Sequence, residues 1–247
     1  MYNLVIDLGN SACKWAFFRA EKDQEEPLEV IHTTSGERLP EAVLNRYRPE
    51  KCLYSSVGRP DTELERWLRE RIPQFLVYTR EMPVPVRIAY RTPRTLGLDR
   101  VAAAVGAWTL APGKASLIVD MGTAITYDYL SEDGVYRGGN IAPGIWLRFK
   151  ALHENTAALP LVEAREDFPS MGTDTETAIR AGVMQGIRYE LEGYRRQYAR
   201  PDRPLLTFLT GGDTIYFDKT SENGIFARPN LVLTGLNRIL YDNTENK

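Results

Sequence analysis

The chain has 247 residues, with 31 Lys and Arg against 33 Asp and Glu and 43% hydrophobic residues, so its net charge is −2. That balance excludes a disordered or fibrous chain, and without a basic stripe to neutralise successive phosphates it excludes a nucleic-acid partner. The longest uncharged stretch, Val101 to Gly113, carries Gly, Thr and Pro and falls short of the ~20 apolar residues of a membrane span, so no membrane partner is expected either.

In chain order, Leu4-Val5-Ile6 predicts a strand that ends in Asp7-Leu8-Gly9-Asn10-Ser11, and Trp15 to Phe18 predicts the strand that returns beside it. No basic leader precedes Tyr2, and the two cysteines, Cys13 and Cys52, are too few for a disulfide framework; a cytoplasmic location is expected. Cys13 is reactive only if exposed. Asp61 to Arg71 predicts a helix with Leu64, Trp67 and Leu68 on one face and Thr62 with Glu65 as its capping box. Prolines at 83, 85 and 93 forbid a regular helix from Glu81 to Pro93, so this segment leads into a helix starting near Leu98. Ala111-Pro112-Gly113 marks a seam.

Beyond the seam, Ser116 to Val119 predicts a strand ending in Asp120-Met121-Gly122-Thr123-Ala124, and Ile125 to Tyr129 its partner. Leu147 to Ala158 has a helical pattern, in which His153 is read as a local hydrogen-bonding group. Trp67, Trp108 and Trp146 are assigned to the core. Thr173 to Tyr198 gives the longest helix, with Ile179, Val183, Ile187, Leu191, Tyr194 and Tyr198 on one stripe. Gly182 and Gly186 would let another backbone approach, which suits a subunit interface. Gly138 to Gly144 and Thr210-Gly211-Gly212-Asp213 are further glycine turns.

The two strand-Asp-x-Gly turns are 113 residues apart, close to half the chain, which points to two related lobes with equivalent turns. A glycine turn at a strand end lets backbone N–H groups converge on an anion, and the hydroxyls of Ser11 and Thr123 add donors. Phosphate is the natural guest. Asp7 and Asp120 could hold a hydrated Mg²⁺ or a monovalent cation that bridges to it, and Lys14 could reach a phosphate as a point charge. The familiar nucleotide motifs are missing. Trp108 and Ala115 break a Walker A reading around Gly113-Lys114, and no Gly-x-Gly-x-x-Gly occurs.

Taken in order, these residues resemble the type III pantothenate kinases of the acetate and sugar kinase/Hsp70/actin superfamily. Asp7 to Ser11 resembles the first phosphate motif, Tyr90 with Gly97-Leu98-Asp99-Arg100 the pantothenate motif, and Asp120 to Thr126 the second phosphate motif. Gly138 to Gly144, Leu159-Pro160, Gly172 to Thr175 and Thr210 to Asp213 follow in the family's order. Ser11 departs from the family's usual Thr but keeps the hydroxyl.

The resemblance implies an α/β fold of two actin-like (ribonuclease H-like) lobes, residues 1–113 and 114–247, with an ATP cleft between them. It implies ATP-dependent phosphorylation of pantothenate, the first step of coenzyme A synthesis. Asp7, Leu8, Gly9, Asn10, Ser11, Ala12, Cys13, Lys14 and Thr123 would hold ATP, and Asp120 a monovalent cation, K⁺ or NH₄⁺, with Mg²⁺ as a further cofactor. Tyr90, Gly97, Leu98, Asp99, Arg100 and Thr175 would hold pantothenate, Asp99 as the general base and Thr175 reaching across a homodimer. A carboxylate is a weak base at neutral pH, so Asp99 would aim the hydroxyl as much as take its proton. Three rivals remain open: a kinase of the superfamily with another small substrate, a non-catalytic regulator on the same fold, and a phosphatase or ATPase using water.

Overall fold

In the computed structural model, which describes residues 1–9, 12–21, 24–34, 37–56, 58, 61–217 and 224–245, each predicted strand end lies inside a longer strand. Tyr2–Leu8 (β1) and Cys13–Arg19 (β2) pair antiparallel, and Glu29–Thr33 (β3) continues the meander. Lys51–Ser56 (β4) and Gln74–Val77 (β5) add on the other side of β1 as parallel strands, giving the order β3-β2-β1-β4-β5. Alternate residues of β1 and β2, including Leu4, Ile6, Trp15 and Phe17, join Leu44, Trp67 and Leu68 in one core. Leu44 comes from Glu41–Tyr47 (α1), and Trp67 and Leu68 from Thr62–Arg69 (α2).

The cap of α2 differs from the expected one. Asp61, not Thr62, accepts from the backbone N–H groups of Glu63 and Leu64, because the capping residue must lie outside the helical backbone and the first helical turn here starts at Thr62.

Arg87–Ile88 (β6) lies within the proline-rich stretch, and Leu98–Leu110 (α3) starts where the sequence predicts. From Arg100 to Ala107 α3 is buried all round, as an alanine-rich helix enclosed by protein must be. Its partner is the C-terminal helix Leu231–Glu245 (α6), which also packs on β1 and β4. The α3–α6 crossing is close enough that a Cβ at Gly106 would lie 2.2 Å from the Leu231 carbonyl oxygen, and one at Gly235 1.8 Å from that of Ala102.

A second sheet uses the same plan. Ser116–Met121 (β7) and Ala124–Leu130 (β8) pair antiparallel and Val135–Pro143 (β9) follows. Leu206–Thr210 (β10) and Ile225–Ala227 (β11) add in parallel beyond β7, for the order β11-β10-β7-β8-β9. Beyond β9, β6 pairs with Val135 and Tyr136. Ile145–Glu154 (α4) and Thr175–Tyr198 (α5) cover this sheet, sharing a core with Leu117, Val119 and Met121.

The chain divides into two compact units, Met1–Gly113 with Gly134–Tyr136 and Asn230–Lys247, and Lys114–Asp133 with Arg137–Pro229. Against the expected division at 113/114, two segments of the second half fall in the first unit, Gly134–Tyr136 and Asn230–Lys247. The C-terminal helix α6 belongs to the first unit, because its apolar face is spent on α3 and β1.

Candidate active site

In the first unit the β1–β2 turn is closed by the Gly9 N–H donating to the Ala12 carbonyl at 3.0 Å. Asn10 and Ser11 lie outside the described residues. Asp7 stands in register with Lys14 on β2 and Ser55 on β4, and residues paired across neighbouring strands share a face. Leu8 and Cys13 face the opposite way, into the core, so any contact they make with a nucleotide is through backbone. Burial pushes the Asp7 carboxyl up to about 6, opposed by the Lys14 charge and reinforced by that of Asp99. Lys14 and Asp99 are thus each within electrostatic reach of Asp7. The Cys13 thiol is buried and pushed up to about 12, by burial and then by Asp7, so it is a packed core group without nucleophilic character.

Asp99 sits in the first turn of α3, its Oδ1 accepting from the Arg100 N–H at 2.9 Å. Gly97 leaves room for it, since a Cβ there would lie 2.3 Å from that oxygen. Arg100 is buried, with its guanidinium 5.9 Å from the Tyr90 ring centre, and Tyr90 leans on Tyr136 with ring centres 6.2 Å apart. The structure therefore brings Tyr90, Gly97, Asp99 and Arg100 together as one cluster. Leu98 instead lines a neighbouring cavity of about 160 Å³ with Tyr78, Arg80, Leu96 and Val101. Arg80 donates to the Leu96 carbonyl, one residue before Gly97, and so fastens the loop that presents Asp99. The Tyr78 hydroxyl is pushed well up by burial, with Arg80 opposing and Asp99 adding. Tyr78, Arg80 and Ser55 carried no sequence signal, because none belongs to a glycine turn or a recognisable spacing.

In the second unit Asp120 on β7 is in register with Thr126 on β8 and Thr210 on β10. The Thr126 hydroxyl is buried and has no hydrogen-bond partner among the described residues. Gly211, at φ +93°, crosses Asp120 so closely that a Cβ would meet the Met121 carbonyl oxygen at 2.4 Å and Asp120 Oδ1 at 2.5 Å. Only glycine fits both the backbone angle and the space. The exposed Thr123 turn is backed by the Gly144 N–H, which donates to the Thr123 carbonyl at 3.0 Å. Next to it the Arg148 Nε holds the Pro143 carbonyl at 2.8 Å, and the same guanidinium grips both Glu190 oxygens, at 2.7 and 2.8 Å. Burial pushes Glu190 up, but the Arg148 bonds and charge outweigh it and hold the carboxylate below its ordinary value.

Thr175, the first residue of α5, lies elsewhere in this unit. With Leu147, Leu152, Ile179 and Val183 it lines an apolar groove of about 1030 Å³ between α4 and α5. Trp146 is 52% exposed beside it, against the expectation of a core residue, since a helical pattern identifies an apolar face without saying what covers it. Beyond its own helix, none of the described residues lies within 4 Å of a Cβ at Gly182. His153 is a local group as expected, its Nδ1 2.8 Å from the Leu159 carbonyl oxygen.

Among the described residues no three His, Cys, Asp or Glu side chains gather as a metal cluster, and no helix is long and apolar enough to cross a membrane. The chemistry on offer is that of single carboxylates at strand and helix ends, beside glycine turns able to bind phosphate.

Comparisons with known proteins agree with that chemistry. The sequence profile of the type III pantothenate kinases matches residues 3–197. A type III pantothenate kinase of Bacteroides fragilis is 46% identical over 244 residues, covering 98% of each chain. One from Porphyromonas gingivalis is 44% identical over 245 residues, covering 98% of this chain and 99% of its own. Among solved structures, a Campylobacter jejuni protein described as a Baf family transcriptional activator superposes with a TM-score of 0.63 at 22% identity, covering 98% and 99% of the two chains. The activator of 2-hydroxyisocaproyl-CoA dehydratase from Clostridium difficile does so with 0.54 at 14% identity, covering 100% of this chain and 95% of that one. The structural likenesses establish the fold, an α/β fold with mixed sheets. The sequence matches go further: the chain belongs to the type III pantothenate kinase family.

Proposed function

We propose that the chain transfers the γ-phosphoryl group of ATP to the primary hydroxyl of pantothenate, the first step of coenzyme A synthesis, with Asp99 as the group that receives the hydroxyl proton. The observation that carries the assignment of Asp99 is its position at the start of α3, with Arg100 and Tyr90 beside it and Asp7 within electrostatic reach. Arg100 would grip the pantothenate carboxylate or the transferring phosphoryl group. In the transfer, the hydroxyl oxygen bonds to γ-phosphorus, the bond to the β-phosphate oxygen breaks, the proton goes to Asp99 and ADP leaves.

The Asp7 and Thr123 turns are the two phosphate turns in this reading, one in each compact unit. Mg²⁺ fits the end of β1 and β4, where the buried Asp7 and Ser55 oxygens lack hydrogen-bond partners among the described residues, and bound there it would neutralise phosphate charge. One carboxylate suffices, because Mg²⁺ keeps several waters, through which a protein group can hold it, and takes other ligands from phosphate. K⁺ or NH₄⁺ fits Asp120, where the unpartnered Thr126 hydroxyl is in register with the carboxylate. A homodimer closed over the α4–α5 groove would cover Leu147, which is 38% exposed, and carry Thr175 towards the partner's pantothenate.

An assay coupled to ADP release, with Mg²⁺ and K⁺ present, tests the reading: turnover should require pantothenate. Equal turnover with water alone, or with another small alcohol in a substrate panel, would replace the reading by a rival.

A further inference from the structure

We propose that Ser55 is a further residue of the nucleotide site, its hydroxyl sharing with the Asp7 carboxylate the water shell of the divalent cation that accompanies ATP. The inference rests on reading Asp7 as a nucleotide-site residue.

Ser55 lies near the C-terminal end of β4, directly in register with Asp7 on the parallel strand β1. It is 1% exposed, and its Oγ has no hydrogen-bond partner among the described residues. The Asp7 Oδ1 is likewise sealed from solvent without a partner among those residues. A buried hydroxyl left unsatisfied costs about 1–3 kcal/mol, and an alanine of nearly the same shape would avoid that cost. Here two such atoms stand on neighbouring strands at the same end of one sheet and on one face. Packing alone gives no reason for the pair.

A guest that brings its own hydrogens satisfies both. Water bound to a hard cation can donate to the carboxylate oxygen and to the serine hydroxyl, which accepts as readily as it donates. The third member of the row, Lys14, selects the mode of binding. Its ammonium flanks Asp7 on the other side, so a bare cation seated directly on the carboxylate would meet a like charge. A cation one water further out keeps its distance from Lys14 and still uses both orphaned oxygens, as suits an ion that dehydrates reluctantly.

The test is ADP binding by calorimetry, with no turnover, for the wild-type chain, Ser55→Ala, Ser55→Thr and Asp7→Asn, each with and without Mg²⁺. For Ser55→Ala we expect the Mg²⁺-dependent gain in ADP affinity to fall about tenfold, the usual scale for losing a group that orients a metal's ligands. Affinity without Mg²⁺ should change less than twofold, the thermal midpoint of the ligand-free protein should hold or rise, and Ser55→Thr should keep the gain. An undiminished gain in Ser55→Ala, an equal loss with and without Mg²⁺, or a lowered midpoint or failure to fold would each overturn the proposal. The last two would make the hydroxyl structural. If Asp7→Asn loses the gain and Ser55→Ala keeps it, only the Ser55 inference falls; if Asp7→Asn keeps it too, the reading of Asp7 falls with it.

Discussion

The two units are built on one topology and furnish it differently. In each, a strand ending in Asp-x-Gly turns into an antiparallel partner, with two parallel strands added on its other side. The first aspartate has Lys14 and Ser55 as its register neighbours, the second Thr126 and Thr210. The first turn spans the four residues between Leu8 and Cys13, the second the three between Met121 and Ile125. Beside Asp7 lies a second carboxylate, Asp99, at a helix start, whereas Asp120 is crossed by the glycine backbone of Gly211. The same scaffold thus presents an aspartate flanked by a cation in one copy and an aspartate between neutral hydroxyls in the other. The first arrangement suits a hydrated divalent ion and an acceptor alcohol. The second suits a single monovalent charge balanced by one carboxylate.

The most severe way to break the comparison is to remove the group with no counterpart in the second unit. Asp99→Asn should lower kcat on the order of 10³-fold, within the range that general-base residues contribute, while ADP affinity measured by calorimetry stays within about twofold. Retained turnover would remove Asp99 from the chemistry.

Asp7 gives the next largest effect, through pH. Its folded value of about 6 lies above the ordinary 3.8, so the native state binds this proton more tightly than the unfolded chain. Stability from this group is therefore full below about pH 4, declines as pH rises, and is lost above about pH 6, a swing of about 3 kcal/mol. Denaturant titrations from pH 4 to 7 should show that decline in the ligand-free wild-type protein and a flatter profile in Asp7→Asn, which should be the more stable protein at pH 7.

Gly211→Ala sharpens the comparison from the other unit. The positive φ and the clash with the Met121 carbonyl should cost about 1–3 kcal/mol in urea unfolding, together with loss of K⁺-dependent activation.

Much of this was legible in the sequence, for reasons particular to the residues. The paired Asp-x-Gly turns could be read because a run of apolar β-formers followed by glycine has few other solutions, and the proline-rich stretch before Leu98 could only be an extended lead into α3. Ser55 could not be read, since a serine at a strand end means something only once β4 is known to lie parallel to β1. Trp146 is exposed where its helical pattern predicts core, because periodicity finds an apolar face without its cover. The C-terminal helix joins the first unit, which a midpoint division does not anticipate, for a related reason: the Gly106–Gly235 crossing that ties it to α3 joins residues far apart in sequence.

A smaller effect checks the local reading of α2. Asp61→Ala should cost about 1 kcal/mol in the same unfolding experiment and Thr62→Ala almost nothing, because Asp61 carries both capping bonds. The reverse order would restore Thr62 as the cap.

The central claim is that one duplicated turn has been given two different cations. It is tested most directly by measuring ADP affinity of Asp7→Asn and Asp120→Asn while Mg²⁺ and K⁺ are varied independently. The account predicts that Asp7→Asn loses the Mg²⁺ dependence and keeps that on K⁺, and that Asp120→Asn does the opposite. Loss of both dependences in each variant, or of neither, would contradict it.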